Sequence, residues 1–154
     1  MKRVSEYPGP QKNDLMSPFF PAPTWLLDLP YKNKKKKIMV EITGTLGGWY
    51  DGEYNGCKAF VTEIFRTASD TVVAVSLVDP GREGSVLDVP IKYLSPLHPN
   101  QVGDHALGLE GEVKGIEVRL GQQGNPGVWD VLKELNASDV ITCRENEMVK
   151  LHLV

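Results

Sequence analysis

Apolar residues alternate with polar ones over short stretches separated by Gly, Pro, Asn and Asp, the pattern of a chain built from half-buried strands. Ile38, Val40 and Ile42 alternate with Met39, Glu41 and Thr43 and predict a first strand. Further strands are expected over Cys57–Phe65, Val72–Val78 and Val86–Val89, with Pro90–Leu94 turning into a fifth. Val72–Val78 is the most apolar of these. The pattern then resumes at His105–Leu109, Gly115–Leu120, Val128–Leu132, Val140–Cys143 and Met148–Leu153. Gly121–Gly127 reads as a long loop and Ser138-Asp139 as a turn. No stretch of about ten or more residues carries helical periodicity, so the expected class is all-β.

Two of these stretches repeat. Gly52-Glu53-Tyr54-Asn55-Gly56 runs into Cys57-Lys58-Ala59-Phe60-Val61, and 59 residues later Gly111-Glu112-Val113-Lys114-Gly115 runs into Ile116-Glu117-Val118-Arg119-Leu120. Paired glycines allow positive φ at both ends of the loop, and the segment after each pair alternates. A small β module is therefore expected twice. The alternating Glu110 and Glu112 read as a solvated strand face. Ser95-Pro96-Leu97-His98-Pro99-Asn100 marks the joint, dividing the chain into residues 1–24, 25–98 and 99–154.

The first segment holds Pro8, Pro10, Pro18, Pro21 and Pro23 and no apolar period, and is expected to be a disordered or extended tail. Trp25-Leu26-Leu27 after it is expected to tuck against the first module, with an exposed partner anchor as the sharper alternative. Lys32-Asn33-Lys34-Lys35-Lys36-Lys37 is open to three readings: a solvated linker, a nuclear import signal or a phosphate-contacting patch.

Charge sharpens the picture. Residues 1–37 hold 8 Lys/Arg against 3 Asp/Glu, a net of +5, while residues 38–154 hold 9 against 17, a net of −8. An acidic body argues against a broad nucleic-acid footprint. Only two cysteines occur, Cys57 and Cys143, without metal-ligand or redox spacing, and reduced thiols are expected. His98, His105 and His152 are scattered. With no phosphate loop before a helix and no nucleophile elbow, no catalytic residue, metal or cofactor is expected. No apolar run approaches the roughly 18–20 residues that span a bilayer, so no membrane partner is expected.

The segments Gly52–Val61 and Gly111–Leu120 each resemble the KOW motif: a Gly, a polar or basic pair, a second Gly, then apolar alternation. The succession of Trp25-Leu26-Leu27, one module, Val89-Pro90-Ile91-Lys92-Tyr93-Leu94-Ser95-Pro96-Leu97-His98-Pro99 and a second module is similar to the tandem KOW region of the large subunit of the DRB-sensitivity-inducing elongation factor, in the NusG-related family. The resemblance covers about residues 25–154. It implies two SH3-like barrels that do not catalyse, work in the nucleus, and bind RNA polymerase or elongation-complex proteins. Direct binding of RNA or DNA is the alternative it leaves open. Binding residues implied are Lys34, Lys35, Lys36 and Lys37 of the basic run, Tyr54, Asn55 and Lys58 of the first copy, and Lys114 and Arg119 of the second. In the nucleic-acid alternative, Trp49, Tyr50, Tyr54 or Trp129 would stack bases, although aromatics near such loops are expected first as core. The NusG-type N-terminal domain is missing from the pattern. Glu53 and Glu112 sit where phosphate would be repelled, which favours protein contacts.

Overall fold

The structure, a computed structural model, describes residues 24–29, 35–67, 70–134 and 136–154. Residues 1–23 of the expected tail, and Lys34, lie outside the described residues. Among the described residues the alternating segments form ten strands: β1 (Lys36–Ile42), β2 (Lys58–Arg66), β3 (Thr71–Leu77), β4 (Val86–Pro90), β5 (Leu94–Pro96), β6 (His105–Gly108), β7 (Glu117–Gln123), β8 (Val128–Lys133), β9 (Asn136–Arg144) and β10 (Met148–Leu153). All named pairings are antiparallel, and among the described residues no helix reaches seven residues. The chain is all-β, as its alternation predicts.

The strands pair in the order β4-β3-β2-β1-β10-β6-β7-β8-β9, with β5 also on β1. The same five-strand plan is thus present twice. Strand β1 sits between β2 and β5 in the first copy, and β6 between β7 and β10 in the second. A 3-10 turn precedes the last strand of each, Ile91–Tyr93 in one and Glu145–Glu147 in the other. Each second strand carries a bulge, between Val61 and Glu63 and between Leu120 and Gln122, again 59 residues apart. The hydrogen bonds repeat too. Gly56 N donates to Ile42 O at 2.7 Å and Cys57 N to Tyr54 O at 3.0 Å; Gly115 N donates to Gly108 O at 2.9 Å and Ile116 N to Val113 O at 2.8 Å. The glycine pairs have φ of +77° and +85° in the first copy and +71° and +75° in the second, the left-handed region the repeat demands.

The two copies share one sheet. The head of β1 pairs with the tail of β10, Lys36 opposite Leu153 and Ile38 opposite Leu151. Strands β6 and β10 consequently send apolar side chains into both cores. Ala106 and Met148 enter the second core with Val118, Leu120, Trp129 and Val131. Their neighbours Leu107, Val149 and Leu151 enter the first core with Val40, Ile42, Val75 and Leu77. Each such Leu or Ile contributes roughly 1.5–3 kcal/mol by leaving water. Trp25 and Leu26 tuck into the first core, where Trp25 Nε1 donates to Leu94 O at 3.0 Å.

Three local expectations are corrected. Ser138-Asp139 does not turn the chain but lies inside β9, where the pairing with β8 slips between Leu132 and Lys133; the turn falls at Glu134. The loop expected over Gly121–Gly127 shortens because β7 runs on to Gln123 with polar residues on an exposed edge of the hairpin. Glu110 and Glu112 do not share a strand face, since Gly111–Val113 is a 3-10 turn that begins directly after Glu110.

Candidate interaction surface

The connection from β1 to β2, residues 43–57, is where the two copies differ most; the second copy makes the same connection with residues 109–116. The longer loop is held from inside. Thr45 is fully buried, and its N and Oγ1 both donate to Asn55 Oδ1 at 3.1 Å. Asn55 therefore braces the loop with its side chain. On this brace the segment Gly47-Gly48-Trp49-Tyr50-Asp51-Gly52 projects outward. Tyr50 and Asp51 have φ of +50° and +52°, a region that side-chain-bearing residues seldom adopt and that is retained where surrounding structure holds it.

The loop and the 3-10 turn before β5 together build a cluster of four rings. Trp49 lies 4.7 Å from Tyr50 edge to face, 5.9 Å from Tyr54 and 6.0 Å from Tyr93; Tyr50 and Tyr54 are 5.6 Å apart, again edge to face. Trp49, Tyr54 and Tyr93 lean on the first core and remain partly open to solvent, while Tyr50 is 61% exposed. Arg82, from the β3–β4 turn, places its guanidinium 5.0 Å from the centre of the Tyr54 ring, and Lys92 places its ammonium 5.2 Å from that of Tyr93. Neither cation has an ion-pair partner among the described residues. The Trp49 indole N–H has no hydrogen-bond partner there either, whereas Trp25 bonds Leu94 O and Trp129 Nε1 donates to Glu145 Oε2 at 2.8 Å. The expectation that loop aromatics are core holds for Trp129, which is 3% exposed, and fails for Tyr50. Among the described residues the second copy has no such cluster, because Val113 and Glu147 stand where the first has Tyr54 and Tyr93.

The basic residues are dispersed by comparison. Lys35 is exposed at the head of β1, and its carbonyl accepts from Val154 N at 2.9 Å. Lys36 is engaged within the protein: its ammonium reaches Glu117 at 3.0 Å and Glu134 at 3.5 Å, and Glu134 also meets His105 Nδ1 at 3.0 Å. Burial penalises the Lys36 charge, but the hydrogen bond and charge of Glu117, joined by Glu134, outweigh it and raise the pKa above the ordinary lysine value. Lys37 is half-buried opposite His152. Lys58, Lys114 and Arg119 are exposed with no ion-pair partner among the described residues, Lys58 on the first copy and the others on the second. The basic run is thus divided between solvent and the joint between the copies.

The remaining chemistry is quiet. Burial raises the Cys57 thiol, the Asp79 carboxylate adds to this, and Arg82 and Lys58 oppose it without reversing it. A thiol held up in this way is a poor nucleophile. Among the described residues no group of three or more His, Cys, Asp or Glu side chains is placed to hold a metal ion. No helix among them is long and apolar enough to cross a membrane.

Sequence reading named Trp49, Tyr50 and Tyr54 among its candidates and missed Tyr93, Arg82 and Lys92. Arg82 comes from the β3–β4 turn and Lys92 and Tyr93 from the 3-10 turn before β5, and only the pairing of β1 with β5 and of β3 with β4 sets those two turns around the loop. Compared with protein-family models and with curated proteins, the chain matches none.

Proposed function

We propose that this chain is a non-catalytic interaction module of the transcription-elongation type, two SH3-like, KOW-type barrels that act in the nucleus and bind RNA polymerase or elongation-complex proteins. The observation that carries this reading is the four-ring surface of Trp49, Tyr50, Tyr54 and Tyr93, partly open to solvent on one copy of a duplicated β frame. Aromatic side chains gathered on loops over a rigid sheet are the usual means by which small β domains hold a protein partner. The KOW resemblance supports the choice of partner class, and the acidic body favours protein over phosphate contacts. The exposed Lys58, Lys114 and Arg119 support a second reading, direct binding of RNA or DNA.

The test is capture from nuclear extract on the full chain and on a Tyr50→Ala/Tyr54→Ala variant of unchanged fold, each with and without nuclease. Polymerase or elongation subunits that resist nuclease and are lost with the variant support the protein-binding role. Partners lost with nuclease and kept by the variant establish the second reading instead. Absence of both overturns the proposal.

A further inference from the structure

We infer that the ring surface binds an extended, proline-rich segment of a partner protein that carries acidic residues beside its prolines. Such a ligand presupposes the protein-binding role proposed above and specifies its chemistry. Four features of the surface select it.

The rings meet edge to face, at interplanar angles of 85° for Trp49 with Tyr50 and 81° for Tyr50 with Tyr54. Rings so arranged present ridges and clefts, into which a stiff chain with bulky, regularly spaced pyrrolidines can settle. Next, faces of Tyr54 and Tyr93 are already covered by Arg82 and Lys92. A nucleic-acid base would find those faces taken, and a ligand ammonium would meet like charge.

Third, the donors on the surface are unspent. The Trp49 N–H and the hydroxyls of Tyr50, Tyr54 and Tyr93 make no hydrogen bond among the described residues. A polyproline II strand has no internal hydrogen bonds, so its carbonyls are free to accept from them, and its preformed shape keeps the entropy cost of docking low. Fourth, neither Arg82, whose Nη1 donates to Cys57 Sγ at 4.0 Å, nor Lys92 has an ion-pair partner among the described residues, which calls for carboxylates on the ligand. Asp51 and Glu53 are exposed on the same loop, so those carboxylates belong on the side of Arg82 and Lys92.

The experiment uses the full chain with 15N in its indoles, the three signals assigned by single Trp→Phe variants. Three peptides of about ten residues are titrated: one of prolines flanked by aspartates, one with alanine for proline, and one with lysine for aspartate. The expected result is a saturable shift of the Trp49 signal by the first peptide, with Kd below about 1 mM. The signals of Trp25 and Trp129 stay in place. Tyr93→Ala and Arg82→Ala weaken this binding by about tenfold or more without moving the Trp129 signal, which reports that the second core is intact. The alanine and lysine peptides bind at least several-fold more weakly.

No Trp49 shift, or an equal shift with the alanine peptide, overturns the inference; nuclease-resistant capture from extract would then still uphold the protein-binding role. A preference for the lysine peptide overturns the assignment of acidic residues. A Trp49 shift by an oligouridine in place of the peptide overturns it in favour of nucleic acid. If Pro18→Ala, Pro21→Ala and Pro23→Ala together move the Trp49 signal before any peptide is added, the occupant is internal and the partner reading falls.

Discussion

Gly108 and Gly115 show how differently two glycines can be required. A Cβ on Gly108 would run into the Val113 carbonyl oxygen, which is backbone and held by the loop. Gly115 has open space around it but a φ of +75°. Gly115→Ala is therefore expected to cost about 1–2 kcal/mol, the usual strain of a left-handed residue. Gly108→Ala is expected to exceed it, at about 3 kcal/mol, because the backbone has to move. Urea midpoints of the two variants check the ranking. The cysteines differ in the same local way. Burial, with Glu147 and Glu112 nearby, pushes the Cys143 thiol up to about 11, while Cys57 is half-buried at the mouth of the ring loop. At a pH of about 8 an alkylating reagent should modify Cys57 slowly in the native protein, and Cys143 only on unfolding. Mass spectrometry of the native and urea-unfolded protein measures both. Residue by residue, the repeat was legible because two glycines with positive φ leave a mark in any sequence; Gly108 was not, since its reason is a neighbour in space.

Among the elements, β1 has the most to hold. It carries β2 and β5 in its own copy and β10 in the other, and its first residue, Lys36, bridges to Glu117 and Glu134. These groups are partly exposed, so the pair contributes at most about 1 kcal/mol. The folded pKa of Lys36 lies above its unfolded value. Its contribution is therefore present in full below about pH 10.5 and is lost as pH rises through the folded value. Lys36→Met should lower the urea midpoint slightly at neutral pH, and the gap from the parent should close in the alkaline range above the ordinary lysine value. A gap that persists there unchanged would assign the loss to packing of the lysine stem. Strand positions were legible from alternation, since a period of two survives in any context. The slip in β9 and the reach of β7 were not, because pairing with β8 decides both.

At the scale of the molecule, the two copies are joined by hydrogen bonds and by apolar packing. Leu107, Val149 and Leu151 belong by sequence to the second copy and by burial to the first core. Leu107→Ala is expected to cost about 2–5 kcal/mol and to destabilise both copies together. Trp25 and Trp49 report on the first, and Trp129 on the second. Unfolding followed by fluorescence in Trp129→Phe and in Trp25→Phe/Trp49→Phe should give coincident transitions, and in each the added Leu107→Ala should shift the midpoint by the same amount. Separate transitions would show that the shared sheet does not couple the copies.

By itself the sequence determined the all-β class, the duplicated loop and the strand positions, because alternation and glycine spacing are local consequences of backbone geometry. Tertiary structure decided the rest. It set Lys36 against Glu117 and Glu134 at the joint, and set the Asn55 side chain against Thr45 as a brace. It also carried Tyr93, Arg82 and Lys92 to Trp49, Tyr50 and Tyr54. Those outcomes depend on which strands pair, and pairing brings together residues whose separation along the chain holds no trace of their contact.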